Sequence, residues 1–263
     1  MSDQLDYLAH LRVESSRFAE ALADVGPDVR VPTCPDWGAD DLLWHLAEVQ
    51  YFWATIVREK VTDPSSLEEP ERPTDRAGLL RFYDAASTAL QQTLAETPPE
   101  ATRWTWSVEQ TAGFTRRRQA HEALIHRLDA ELTAGNRTDM DPALSSDGVD
   151  EVLRIMFAGV PPWGHIEPEQ GETLRITTTD TSASWLVNLG RLTGTDPEGV
   201  FHDEPDVVVA ETDSGEDARA AVSGRAADVD CWLWGRPPLG SLERTGDERM
   251  LTGFEAIIGQ GIS

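Results

Sequence analysis

The apolar residues in the first half of the chain recur every three or four positions, which is the period of an amphipathic helix. Leu5, Leu8, Leu11 and Leu22 follow this spacing near the amino terminus, and a turn at Gly26 and Pro27 comes after them. Stretches of this kind, separated by loops, predict four helices, at Asp3–Ala23, Ala39–Glu59, Arg76–Thr97 and Thr115–Ala134. Four such helices fit a bundle, whose inward side chains can converge on one point.

The pattern changes after the fourth predicted helix. The segment Gly135–Ser146 is rich in Asn, Asp, Pro and Ser and is typical of a boundary between domains. Beyond it, the predicted strands are Leu174–Thr178, Ser184–Val187 and Val207–Ala210, and the predicted helices are Glu216–Val222, Ala226–Trp234 and Glu248–Ile258. This mixture indicates a smaller α/β domain.

The length of the chain supports the same division. At 263 residues, the chain exceeds the size at which one hydrophobic core usually suffices. We therefore predict an α+β protein with a four-helix domain over residues 1–140 and an α/β domain over residues 147–263.

One group of residues has the composition of a metal site. Glu122 and His126 lie four residues apart and so share one face of the fourth helix, and His45 lies on the second helix. Two imidazoles and a carboxylate suit zinc, and three protein ligands leave a fourth position for water or substrate. The spacing alone also fits an ordinary helical Glu–His pair and a packed histidine.

His121 does not extend this group into a protease motif. The string from His121 to His126 contains His-Glu, but its two histidines are five residues apart, whereas the metalloprotease motif needs them four apart on one helix face. The chain also lacks a glycine-rich phosphate loop and a serine nucleophile elbow. These absences argue against a zincin, a nucleotide-dependent enzyme and a serine hydrolase.

Three motifs, in order along nearly the whole chain, resemble the mycothiol-dependent maleylpyruvate isomerase family. The first is Val31–Trp37 (VPTCPDW) followed by Asp40–Ala47 (DDLLWHLA), and the second is Glu122, His126, Arg127 and Asp129–Glu131. The third is Val222–Asp228 (VSGRAAD) with Leu233–Arg236 (LWGR), Gly246 and Asp247.

The resemblance implies a DinB-like four-helix bundle that carries one metal ion, held by residues that fall on His45, Glu122 and His126. It also implies a catalytic arginine from the carboxy-terminal domain, for which we nominate Arg236. The implied cofactors are a divalent metal, zinc first, and mycothiol. The implied reaction is either cis-trans isomerisation of a maleylpyruvate-like unsaturated acid or S-transfer to an electrophile.

The net charge of the chain argues against two classes of binding partner. A net charge of -25 disfavours nucleic acids and anionic membranes, because both require clustered basic residues. There is neither an apolar run long enough to span a membrane nor a secretory signal, so we expect a cytoplasmic protein, either a monomer or a small homo-oligomer. Lys60 is the only lysine, an arginine-rich bias that suits an actinobacterial source, where mycothiol is made.

Several assignments stay open at this stage. Cys34 is either a thiolate near the metal or a small buried residue beside a turn. Asp129 holds Arg127, caps a loop or orients a ligand imidazole, or else lies in solvent. The run Arg116–Arg118 either faces an anionic substrate or is solvated. Two alternatives to an enzyme also remain, a non-catalytic metal-binding structural or regulatory protein and a helical bundle without metal. The two cysteines, Cys34 and Cys231, suggest no disulfide framework.

Overall fold

The structure, a computed structural model, describes residues 5–157, 159–210 and 217–260. The chain divides into two units between Asp139 and Met140. The first unit contains four long helices: α1 (Tyr7–Leu22), α2 (Ala39–Glu59), α3 (Arg76–Glu96) and α4 (Ala112–Ala134). Helix α1 packs mainly on α4 and α2 mainly on α3, which confirms the predicted four-helix arrangement.

Apolar side chains from these helices form the core of the bundle. Leu42, Leu43 and Leu46 of α2 are fully buried, as the helical spacing requires for residues on one face. The cluster around them is completed by residues of the other three helices, among them Phe18, Leu22, Leu79, Tyr83 and Ala130.

Gly38 and Lys60 mark the two ends of α2. Gly38 precedes the helix, and its N–H donates to Oδ2 of Asp41 at 2.9 Å. A Cβ atom at Gly38 would lie 2.8 Å from the carbonyl oxygen of Pro27, so only glycine fits there. At the other end, Lys60 adopts a left-handed conformation with φ of 57° and is exposed. The helix therefore has the bounds that the sequence predicts.

A small hairpin leads into α2. It consists of β1 (Arg30–Val31) and β2 (Cys34–Gly38), which pair antiparallel. Helix α4 begins at Ala112, three residues before the predicted Thr115, because the Thr111 side chain accepts a hydrogen bond from the N–H of Phe114 at 3.0 Å. Gly135 ends α4 in a left-handed conformation.

Within its described residues, the second unit contains a five-stranded sheet, three α-helices and a π-helical turn. Its elements are α5 (Pro142–Glu151), a π-helical turn (Val152–Phe157), β3 (Gly164–Thr178), β4 (Ser184–Thr195), β5 (Phe201–Val209), β6 (Ala220–Gly224), α6 (Ala226–Leu233), β7 (Glu243–Gly246) and α7 (Glu248–Ile258). The strand order is β5-β4-β3-β6-β7, in which only β3 and β6 are parallel. Leu174, Val187, Val222 and Phe254 lie in its core. The predicted α+β class is confirmed.

One predicted helix of this unit is wrong. The sequence pattern places a helix over Glu216–Val222, but Ala220–Gly224 is strand β6, in which Ala220 and Val222 pair with Leu174 and Ile176 of β3. Alanine has a high helix propensity, but propensity is a small term that tertiary context overrides, and the hydrogen bonds of β6 to two neighbouring strands outweigh it. Glu216 lies outside the described residues.

Helix α5 begins within the segment that the sequence indicates to be a boundary. Asp141 caps it by accepting a hydrogen bond from the N–H of Leu144, and Pro142 occupies the first turn. None of the helices in the described part of the chain combines the length and the apolar composition needed to cross a bilayer.

Candidate metal centre

The three residues nominated as metal ligands come together in the first unit. His45 projects from α2, and Glu122 and His126 project from one face of α4. Each offers one ligand atom, and these atoms all lie within 4.8 Å of one another. Within the part of the chain that the structure describes, they form the one cluster of this kind, and Cys34 and His121 are not members of it.

The distances between the donor atoms fit a metal ion. Oε1 of Glu122 lies 3.4 Å from Nε2 of His45 and 3.1 Å from Nε2 of His126. In a tetrahedral shell with bonds of about 2.0 to 2.1 Å, neighbouring donor atoms lie about 3.3 to 3.4 Å apart. The spacing of the carboxylate to both imidazoles therefore suits zinc or a similar divalent ion.

The other nitrogen of His126 is held by a buried carboxylate. Nδ1 of His126 lies 3.0 Å from Oδ2 of Asp129, whose side chain is fully buried. The hydroxyl of Thr33, in the turn between β1 and β2, donates to the other oxygen of Asp129 at 2.6 Å. Asp129 thus orients the ring of His126 so that Nε2 faces Glu122. Of the roles left open for Asp129, the structure supports orientation of the His126 ring and excludes a solvated side chain.

Glu122 has a guanidinium on its far side. Arg118 lies one helical turn before Glu122, is 5% exposed, and contacts Oε2 of Glu122. Burial acts to raise the pKa of Glu122, but the positive charge of Arg118 and the interactions with His126 outweigh it and hold that pKa well below its usual range. Glu122 is therefore ionised, as a metal ligand must be.

His126 is also strongly influenced by charge. Burial acts to lower its pKa, but the carboxylates of Glu122 and Asp129 outweigh burial and raise the pKa to about 9. In the metal-free protein at neutral pH, His126 therefore carries a proton. A divalent ion at this position takes over the role of that positive charge between two carboxylates.

Trp37 forms a wall of the site. It lies on β2, and its ring centroid is 4.8 Å from that of His45 and 6.4 Å from that of His126. The hairpin therefore contributes two residues, Thr33 and Trp37, that flank the ligands. The rings of His45 and His126 are themselves nearly perpendicular, with centroids 4.7 Å apart.

The three arginines of the run Arg116–Arg118 have three different environments. Arg118 reaches the candidate ligands through its contact with Glu122. Arg116 donates to the carbonyl oxygens of Leu94 and Thr97 at the end of α3, at 2.5 and 2.6 Å. Arg117 lines a cavity of about 580 Å³ together with Tyr7 and Glu100, and no candidate ligand lines that cavity.

The remaining nominated residues are His121, Cys34 and Arg236. His121 is buried and makes an edge-to-face contact with Tyr7, with centroids 6.2 Å apart. Neither Cys34 nor Cys231 is in a disulfide, and Cys34 is half-buried on β2. Arg236 lies just after α6, half-buried, and its Nη1 donates to the carbonyl oxygen of Trp234 at 2.7 Å.

The sequence does not identify Thr33 and Trp37 as parts of the site, and it leaves the role of Arg118 open. A signal existed for Arg118, since it lies four residues before Glu122 and so shares its helix face. Thr33 and Trp37 lie within the first motif, but nothing in their spacing indicates a contact with residues on α4.

Two family models together match most of the chain. The mycothiol maleylpyruvate isomerase N-terminal domain matches residues 8–131, and the C-terminal domain of the same family matches residues 143–252. All three candidate ligands fall within the first match, and Arg236 falls within the second. No curated protein matches the chain in sequence.

Solved structures agree in fold. The crystal structure of a mycothiol-dependent maleylpyruvate isomerase is 15% identical, with a TM-score of 0.59 over 92% of this chain and 93% of that chain. A histidine-to-alanine mutant of the mycothiol-dependent maleylpyruvate isomerase is 14% identical, with the same TM-score and coverage. At these identities the likeness establishes the fold alone.

Proposed function

The chain belongs to the mycothiol maleylpyruvate isomerase family, and from this premise we propose that it is a metal-dependent enzyme that uses mycothiol. The main support for metal dependence is the convergence of His45, Glu122 and His126. Oε1 of Glu122 lies 3.4 Å from Nε2 of His45 and 3.1 Å from Nε2 of His126. A structural zinc site usually has four protein ligands, whereas a catalytic one has three. The donor set therefore favours catalysis over a purely structural role.

In this proposal, the three residues hold a divalent ion, zinc first. Such an ion, when bound, acts as a Lewis acid that lowers the pKa of a coordinated thiol, so that thiolate exists at neutral pH. Asp129 accepts a hydrogen bond from Nδ1 of His126 and leaves Nε2 as the ligand atom. His45, whose side chain is 33% exposed, is the most accessible ligand, and Trp37 covers part of its ring.

The reaction that we propose begins with attack of the mycothiol thiolate on a conjugated double bond. A sulfur–carbon bond forms, and the π electrons move to the conjugated carbonyl oxygen of the unsaturated acid. The former double bond is then single and rotates. Return of the electrons restores the double bond in the trans form and expels the thiolate. In S-transfer, a carbon of the adduct is protonated instead and the adduct is released.

Arg236 remains our candidate for binding the substrate carboxylate. A guanidinium can grip a carboxylate with two parallel hydrogen bonds, which fixes its orientation as well as its position. Arg236→Ala is therefore a variant to include in activity assays, in which we expect weaker substrate binding.

The proposal is tested first by measuring metal. Elemental mass spectrometry of freshly purified protein is compared with the same measurement on His45→Ala, Glu122→Ala and a matched control, His165→Ala. His165 is exposed on β3. We expect about one divalent ion per chain in the wild type and in His165→Ala, and less than about a tenth of that in the two ligand variants.

Activity is tested next, with mycothiol and maleylpyruvate as well as other electrophiles. A trans product with mycothiol regenerated indicates isomerisation, and a stable thioether indicates transfer. A metal-loaded protein that neither binds mycothiol nor consumes any electrophile would instead support the non-catalytic alternative. Absence of metal even after reconstitution would refute the metal-dependent mechanism.

A further inference from the structure

The two oxygens of Glu122 have different partners. Oε1 faces the imidazole nitrogens of His45 and His126, at 3.4 and 3.1 Å. Oε2 contacts the guanidinium of Arg118. Arg118 is 5% exposed and lies on the same face of α4, one turn before Glu122, so its position is fixed by the helix.

We propose that Arg118 is a positioning residue that makes Glu122 a one-oxygen ligand. This inference rests on the proposed metal centre and concerns how the metal is held. A carboxylate can bind a metal through one oxygen or both, and a charged hydrogen bond to Oε2 competes with the second mode. With Arg118 in place, a bound ion has three protein donor atoms, and its fourth position is kept for an exogenous donor such as a thiolate.

Arg118 also sets the charge of the site. Around a divalent ion, the charged groups are the carboxylates of Glu122 and Asp129 and the guanidinium of Arg118. Together they leave one net positive charge, which one thiolate neutralises. Without Arg118 the site would be neutral before the thiolate arrives, and its attraction for an anionic donor would weaken.

The experiment uses Co²⁺ as a probe of coordination number in the full-length protein. Visible d–d absorption is stronger for four-coordinate than for five-coordinate Co²⁺, because the mixing of metal p and d orbitals that gives these bands their intensity is greatest in a tetrahedral site. The variants are Arg118→Gln, which removes the charge, and Arg118→Lys, which keeps it. The control is Arg117→Leu, which removes one positive charge from the same helix at a side chain that lines the cavity next to Tyr7.

We expect wild type, Arg118→Lys and Arg117→Leu to show strong four-coordinate bands. In Arg118→Gln, both oxygens of Glu122 become available, and the absorption should fall about twofold or more. A purely structural role for Arg118 would change the amount of folded protein but not the absorption per bound Co²⁺.

Glu122→Gln provides an independent test if Arg118→Gln does not fold. An amide offers only one oxygen to a metal, so at saturating Co²⁺ this variant should have the same absorption per ion as the wild type. A stronger absorption in Glu122→Gln would show that wild-type Glu122 binds through both oxygens, and an unchanged spectrum in folded Arg118→Gln would equally overturn the role of Arg118. Failure of the wild type to bind Co²⁺ at all would instead refute the metal centre itself.

Discussion

Helix α4 takes part in two groups of buried charged side chains, and the polar atoms of the two groups are arranged differently. In the first group, Arg127 is fully buried and donates to Glu14 at 2.7 Å and to Glu131 at 3.0 Å. Glu131 also accepts from Arg17, at 3.1 Å, and from the N–H of Thr138, at 2.7 Å. Two arginines and two glutamates balance in charge, and their polar atoms point at one another. This group links α1 to α4.

The second group, around Glu122 and His126, has its charges arranged differently. Arg118 and Asp129 bind the outer sides of Glu122 and His126, while the inner atoms of these two residues and of His45 converge. A carboxylate and two imidazoles that converge in this way need a positive charge between them, which is the proton of His126 in the metal-free protein and a divalent ion when metal is bound. Burial and charge therefore do not by themselves mark a functional site. What distinguishes the second group is the direction in which its donor atoms point.

Breaking the first group should have the largest effect on stability. Arg127→Met would leave Glu14 and Glu131, which are 3% and 5% exposed, buried without their main positive partner. We expect the free energy of unfolding of the helical unit to fall by about 3 to 5 kcal/mol. Urea unfolding followed by circular dichroism measures this change, and the metal content per folded chain should stay at the wild-type level.

The matched control is Arg58→Met, which removes a charge from an exposed ion pair on α2. Arg58 and Glu59 are each 54% exposed and lie 3.0 Å apart, so a loss below about 1 kcal/mol is expected. If Arg127→Met were no more destabilising than this control, the two groups would not differ as described.

Altering the second group should reduce metal affinity rather than stability. Asp129→Asn keeps the shape of the side chain but removes the negative charge that supports His126. We expect metal affinity to weaken by about 10- to 100-fold, as is usual for the outer partner of a ligand histidine. Competition with a chelator measures it. Thr33→Val, which removes only the hydrogen bond to Asp129, should have a smaller effect, and equal effects of the two variants would contradict this order.

The apparent affinity for a divalent metal ion should increase gradually with pH. The carboxylates of Glu122 and Asp129, acting against burial, raise the pKa of His126 to about 9, so an incoming ion must displace a proton. Apparent affinity should therefore rise about tenfold per pH unit up to about 9 and then level off. Asp129→Asn should shift the plateau to lower pH. An affinity that does not vary between about pH 7 and pH 9 would contradict this account.

The metal-free protein should show the opposite dependence in its stability. Because the pKa of His126 is higher in the folded protein than its ordinary value of 6.5, the bound proton stabilises the folded state. This contribution is complete below about pH 6.5 and is lost as the pH rises through about 9. Urea unfolding at several pH values after chelation measures it.

The sequence predicts elements best where local signals and packing agree. Both ends of α2 and of α7 are where the pattern places them, since apolar spacing and capping residues coincide there. The sequence pattern does not predict helix α5, because its capping residues, Asp141 and Pro142, are also common in loops. The helix predicted over Glu216–Val222 is wrong because Ala220–Gly224 forms strand β6, and the pairing of β6 with β3 is a long-range interaction that no local window contains.

Some contacts of the candidate site follow from local sequence spacing, and others depend on tertiary packing. The relation between Glu122 and His126 follows from helix geometry, and the meeting of both with His45 is a consequence of packing α2 against α4. The contacts of Thr33 and Trp37 depend on how the hairpin lies on α4, which the spacing of residues does not specify. The family motifs include these two residues without indicating what they touch.

The lysine at the end of α2 gives the molecule a single chemical handle. Lys60 is exposed and carries the only side-chain amine of the protein. It lies fifteen residues beyond His45 on the same helix, or about 22 Å along its axis at the usual rise per residue. Among side chains, an amine-reactive dye or surface linker will therefore attach at one known position. It does so at the opposite end of the helix from the hairpin, so the protein can be tethered without covering its candidate ligands.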